Sequence, residues 1–341
     1  MKINKTTSWL LLTALIIAAL VVGQQIILPF IIALLIWFIV KKIRNLIDKY
    51  SLIQKYIPSW VKTLMASMVV FSILFFAGKI LISNIENLSM SYKLYGENIS
   101  KITTLIHEVT KIDVHTQIVG FIESFIPTLL ESLFNSISDL IGNMVMIIFY
   151  VVFLVLEESL FQSKIKLIFP DKQQFIGVTS TLKKIDKSLS GYIALKSLIS
   201  LMTSTCSYII LASVGIDSPI FWAFLIFMFN FIPSVGPIMG TVFPALFSLL
   251  QFGEFVPFLI ILIGVGTVAL LVGSLVEPKL MGNTLNISPL VAILSLAIWG
   301  SIWGVVGMLL SVPITVAMII VMSQFPQTRS IAILLSEKGR V

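Results

Sequence analysis

At 341 residues, with 57% hydrophobic and 11% charged side chains, the chain departs from soluble domains, in which about 25% of residues are charged. Apolar runs recur along most of its length, so lipid is the expected solvent for much of it. The single cysteine, Cys206, excludes an intrachain disulfide and a cysteine-built metal site, and the formal charge of +7 has to be read from where the cations fall.

In chain order, Lys2 and Lys5 precede an apolar run without a small-x-small cleavage site, which reads as a first membrane helix. The run 8–40 is too long for one crossing and carries Gly23, Gln24, Gln25 and Pro29 near its middle, so a tight helical hairpin is expected. Segments 63–82, 137–156, 197–214 and 258–276 each fit the ~17–25 residues of a crossing. The run 220–250 is broken by Pro233, Gly236 and Pro237 into two pieces too short to span. The run 290–322 is interrupted by Gly300, Gly304 and Gly307, with Pro313 beyond.

Two polar stretches carry helical periodicity. Between the third and fourth segments, Ile85, Leu88, Tyr92, Tyr95, Ile99, Ile102, Ile106 and Val109 alternate spacings of three and four, a heptad seam. Ile118, Ile122, Phe125, Leu129 and Leu133 form a second stripe, kinked at Pro127. The seam packs either on the second helix of the same chain or on another subunit; a stripe alone does not name its partner. In 157–196, Phe175, Val178, Leu182, Ile185, Leu189 and Tyr192 recur at helical spacing beside Lys183, Lys184 and Lys187. That suits an amphipathic helix on the inner leaflet or one packed under the membrane part.

Charge sets the expected orientation. With a cytoplasmic N-terminus and three up-and-down pairs, the inside regions are 1–7, 41–62, 157–196, 277–289 and 323–341. They carry 19 of the 23 lysines and arginines. This positive-inside bias accounts for the net charge as topology, without nucleic acid. The reading is an all-α polytopic membrane protein with broken, re-entrant helices and a helical extracytoplasmic insertion. Its parts are N-terminal transmembrane helices over 1–82, extracytoplasmic helices over 83–136, a transmembrane core over 137–322 and a cytoplasmic tail over 323–341.

Nothing in the pattern is catalytic. HExxH, glycine-rich phosphate loops and GxSxG are absent, so neither an enzyme nor a cofactor is expected. His107 and His115 have no cysteine companion and read as surface residues, not metal ligands. Ionisable groups within spans, the usual sign of ion coupling, are scarce; Glu277 and Lys279 end a span at the inner boundary. The breaks say more. Interrupted helices leave peptide groups unpaired, which lipid tolerates only where the backbone is buried in protein or lines a wet cavity. Transporters aim such half-helices at their ligands. The first break, 229–244, holds Asn230, Pro233, Ser234, Gly236, Pro237 and Gly240; the second, 297–313, holds Trp299, Trp303, Gly304 and Gly307. A transport path between two hairpins that enter from opposite faces is one reading; close packing and simple kinks are the other.

The stretches YIALKSLISLMTST (192–205), FNFIPSVGPIMGTVFPAL (229–246), EPKLMGNTLNISPLVAILSL (277–296) and WGVVGMLLSVPITV (303–316) together resemble the autoinducer-2 exporter family, the PerM-like permeases. The resemblance covers residues 140–322 in order and spacing. It implies a bacterial inner-membrane permease, homo-oligomeric and not ATP-hydrolysing, with both termini cytoplasmic. Some relatives are described as exporters of the furanone-type quorum signal and others as sodium or lithium/proton antiporters. Glu277, Pro278, Lys279, Met281 and Gly282 match the family's Glu-Pro-x-x-Met-Gly stretch, Pro233, Gly236, Pro237 and Gly240 its broken helix, and Trp303, Gly304, Gly307 and Pro313 its C-terminal signature. The expected function is export of a small polar organic molecule such as autoinducer-2, with cation/proton antiport through Glu277 and Asn230, or a non-transporting scaffold, as alternatives.

Overall fold

The computed structural model describes residues 5–48, 57–91, 141–281 and 286–339, with scattered positions between 95 and 139. The described residues are helical, without strands, and six helices are long and apolar enough to cross a membrane, or seven if one bent helix counts as a span. Phe75, Phe76, Phe153, Leu156, Ile263 and Leu270 stand exposed, as crossing helices do when lipid replaces water around them. The chain forms two compact units, the first from 1–70, 143–193 and 284–341 and the second from 71–142 and 194–283.

The first unit opens with α1 (Lys5–Val22) and α2 (Gln24–Ile47). The hairpin expected over 8–40 is corrected here. Gly23 alone separates the helices, with φ −82° and ψ 4°. Its N–H donates to the Ala19 carbonyl and its own carbonyl accepts from Ile27, both i to i−4 bonds. The chain therefore kinks at Gly23 and does not reverse. Gln24 and Gln25, read as turn residues, are good helix formers and open α2.

Next come α3 (Ser59–Ser91) and α4 (Met144–Ile168), the latter bent by 65° between Glu158 and Leu160. Ion pairs gather at one end of this unit. Arg44 forks onto both Glu158 oxygens, Nη2–Oε1 at 2.8 Å and Nη1–Oε2 at 3.2 Å, and also donates to Thr63 Oγ1. Lys62 pairs with Asp48, and Lys41 with Asp186 at 3.0 Å. The basic 41–62 and the stretch 157–196 thus meet one another, as regions on one side of a membrane must.

α5 (Lys172–Val214) corrects a second expectation: the basic stripe of 172–196 is no separate surface helix but the continuous lower part of a 43-residue crossing helix. No proline falls between Lys172 and Val214, so the helix runs through the polar-to-apolar transition despite Gly191.

The second break reverses the chain. α10 (Pro289–Met322) contains Trp303 at φ −127°, ψ 18° and Gly304 at φ 59°, ψ −142°, a combination only glycine adopts readily. The Trp299 indole N–H reaches Thr315 Oγ1 at 3.3 Å. In a straight helix those residues would lie about 24 Å apart. The 34-residue helix is therefore two antiparallel pieces, as the glycines of 300–307 suggest. α11 (Pro326–Leu335) returns to the start of α10, where the Ser288 N–H donates to the Leu335 carbonyl.

In the second unit, α6 (Pro219–Phe229) and α7 (Val235–Phe252) form a hairpin, followed by α8 (Phe255–Leu271). One turn of π-helix, Val272–Val276, leads into α9 (Glu277–Met281). Gln251 at the end of α7 donates to the Gly215 carbonyl and accepts from the Asp217 N–H, so α7 ends where α6 begins. Tyr95 donates to Asp217, and Asn98 donates to the Leu250 and Gln251 carbonyls. Of the heptad seam, Ile85, Leu88 and Tyr95 are buried by this chain itself. Tyr92, the seam from Ile99 to Val109, the stripe from Ile118 to Leu133, both histidines and Gly282 lie outside the described residues.

Gly236 is where α7 comes closest to α6: a Cβ there would sit 1.7 Å from the Phe229 carbonyl oxygen. Gly236→Ala should destabilise the protein by about 3 kcal/mol or more, because backbone has to move. Gly177→Ala, on an open face of α5, should be neutral or stabilising by up to about 1 kcal/mol. Thermal unfolding of the two variants in detergent checks the contrast.

Candidate transport site

α6 is eleven residues long, so its far end lies about 16 Å from the turn where it starts, too short to cross a ~30 Å hydrocarbon core alone. The chain turns there through Pro233 and through Ser234, which is held at φ 62°, ψ −45°. A serine with positive φ persists only where its surroundings over-determine it. Asn230 caps the tip; it is buried, and its Nδ2 donates to Thr203 Oγ1 of α5 at 3.3 Å.

Thr203 belongs to a polar line. Lys196, Ser200, Thr203, Ser204 and Ser207 follow at i, i+4, i+7, i+8 and i+11, one face of a helix, and all five are buried. The line runs about 16 Å along α5. At its foot the Lys196 ammonium pairs with Glu277, the lysine side chain 8% exposed and the carboxylate 28%. Glu277 follows directly on the π-turn, a distortion that concentrates at functional sites. Hydroxyls in membrane helices ordinarily bond back to their own helix or serve close packing. That accounts for Thr203, bonded to the Ile199 carbonyl, and for Ser204, bonded to Leu201. It does not account for Ser200 and Ser207, whose buried Oγ atoms have no partner.

The structure thus brings Asn230 to Thr203 and Glu277 to Lys196, all within the second unit. Pro233, Ser234, Gly236, Pro237 and Gly240 shape the tip; Gly240 packs on Ile226 and Pro237 accepts from Thr241 Oγ1. Pro278 and Lys279 follow Glu277 in α9. Trp299, Trp303, Gly304 and Gly307 form the break in α10, which belongs to the first unit. There the Trp303 indole donates to the Leu20 carbonyl, and Gly307 lies against the Trp299 carbonyl. Sequence reasoning missed the α5 line. It counted Lys196 as a loop cation and 197–214 as uniformly apolar. The signal was present in the spacing of Lys196, Ser200, Thr203 and Ser207.

The chain as a whole is similar to known membrane-transport proteins. The model of the family described as AI-2E family transporter matches residues 10–327. The chain belongs to the AI-2E transporter family. It is 27% identical to a Haemophilus influenzae protein named provisionally as a transport protein, over 99% of this chain and 97% of that one. A provisionally named Borreliella burgdorferi transport protein is 34% identical, over 54% of this chain and 51% of its own length. The AI-2 transport protein TqsA of Escherichia coli is 37% identical, over 48% of this chain and 47% of its own. As a family member the chain is a multi-pass membrane transporter.

Removing one member of a buried ion pair costs about 3–5 kcal/mol, and the partial exposure of Glu277 points to the lower end. Lys196→Met should lower the unfolding midpoint more than Lys196→Met combined with Glu277→Gln, which leaves no orphaned charge. A double-mutant cycle in detergent measures the coupling.

Proposed function

We propose that the protein exports a small polar organic molecule such as autoinducer-2 across the bacterial inner membrane, and that the path follows the polar face of α5 to the broken tip at Asn230. The observation that carries this reading is the pair of buried, unpartnered hydroxyls of Ser200 and Ser207, in line with Thr203 and Asn230. A buried polar group without a partner costs about 1–3 kcal/mol, and a hydroxylated solute passing along the line would supply the missing bonds. Half-helices meeting at mid-depth are a recurrent way for transporters to hold a solute. The similarity to the AI-2 transport protein TqsA supports the substrate.

In this reading Asn230, Ser234 and the backbone freed around Pro233, Gly236, Pro237 and Gly240 form the mid-depth end of the path. Glu277, Pro278 and Lys279 stand at its foot. The break at Trp299, Trp303, Gly304 and Gly307 is a second place where irregular backbone would line a hydrated passage. The ion-pair cluster that joins 41–62 to 157–196 supports a cytoplasmic side for both of these basic stretches. The working unit is a homo-oligomer, transport needs no ATP hydrolysis, and the chain is not an enzyme.

Proteoliposomes loaded with autoinducer-2 test the path. Asn230→Leu and Thr203→Val should each cut efflux about tenfold, the loss of roughly 1.4 kcal/mol in the rate-limiting state, while Gly177→Ala leaves it unchanged. Efflux unaltered by both substitutions would remove the reading. Cation–proton exchange is the second reading, favoured by the carboxylate of Glu277 at the foot of the line. Glu277→Gln would abolish sodium-driven proton movement in inverted vesicles if that reading holds, but lower solute efflux only in part if the first does.

A further inference from the structure

A separate feature lies in the first unit. α2, α5 and α10 border a groove of about 390 Å³, lined by apolar residues throughout: Ile31, Leu35 and Phe38 of α2, Leu189 of α5, and a face of α10 from Leu310 to Met322. Along α10 the groove extends about 18 Å. That is close to one leaflet of hydrocarbon, half of ~30 Å. The wall carries no polar side chain, so it suits an occupant that is apolar along this whole length, as a lipid acyl chain is.

One end of the slot is basic. Ile31, Leu35 and Phe38 follow a single stripe of α2, and the next member of that stripe is Lys42, about 6 Å beyond Phe38. Lys42 is exposed and has no carboxylate partner among the described residues. Its neighbours are committed elsewhere: Lys41 pairs with Asp186 and lies 5.0 Å over the Trp37 ring, and Arg44 is forked onto Glu158. The stripe therefore changes at one step from a chain-binding surface to an available cation.

We infer that this groove is a binding site for an anionic phospholipid, one acyl chain lying in the slot and the phosphate meeting Lys42. The apolar wall gives affinity for any lipid chain. Lys42 gives the preference for a net negative headgroup, since a lysine near an anionic surface contributes attraction that a zwitterion does not return.

Native mass spectrometry of the full chain, released from nanodiscs of equal parts phosphatidylglycerol and phosphatidylcholine with identical chains, tests this. The unaltered protein should retain phosphatidylglycerol preferentially. Lys42→Gln should reduce that preference by about fivefold while still retaining lipid. Ala317→Phe, which fills the slot, should reduce retention of both lipids. Adducts unchanged in number and headgroup in both variants overturn the site. So does a change in oligomer mass on Ala317→Phe with lipid retention intact, which would make the groove a contact between copies. Lys42→Gln is a surface change, so the headgroup test stands even if Ala317→Phe fails to fold.

Discussion

Hydrocarbon offers no hydrogen bonds, and that constraint organises everything of interest in the second unit. A peptide group or hydroxyl at mid-depth must find a partner within the protein or face a hydrated passage. The tip at 230–234 answers part of this demand internally: the Ile232 N–H reaches the Phe229 carbonyl, Gly236 reaches Ile232, and Asn230 spans to Thr203. Ser200 and Ser207 answer none of it. A sequence under pressure only to pack would place alanine at both positions, since alanine is as small and costs nothing to bury. In the proposed path these two hydroxyls are the groups that a passing solute would partner.

The buried pair at the foot of the line has a different character. A lysine held inside a membrane helix is costly, and Glu277 makes it tolerable. The pair joins α5 to the end of α8 through the π-turn, so the polar line closes on a charged contact whose geometry depends on an irregular turn. Glu277 follows the turn directly, so the placing of its carboxylate against Lys196 depends on the geometry of that turn.

The first unit relies on other means. Its ion pairs sit at helix ends and link α2, α3, α4 and α5 where water is near. Farther along, α2 and α10 wall an apolar groove, and the buried hydroxyls of Ser295 and Ser311 bond back to carbonyls of their own helix. Its long C-terminal helix breaks at Trp303 and Gly304, where the Trp303 indole donates to the Leu20 carbonyl.

The sequence by itself determined the solvent, the helices and the breaks. Apolar runs of crossing length, prolines at 233 and 237 and glycines at 300–307 have local causes and local consequences, and each appeared where expected. It also determined that 41–62 and 157–196 share a side, because like-signed loops are sorted by the membrane and not by packing. Tertiary structure decided the rest. Gly23-Gln-Gln can turn or continue a helix, and only the neighbours chose continuation. Lys196 counts as a loop cation until its span is known to begin at Lys172 and its ammonium to meet a carboxylate 81 residues away. The polar face of α5 has no meaning as a stripe of small residues. It acquires one when α6 brings Asn230 down to Thr203, a contact across 27 residues that no local rule of helix or turn contains.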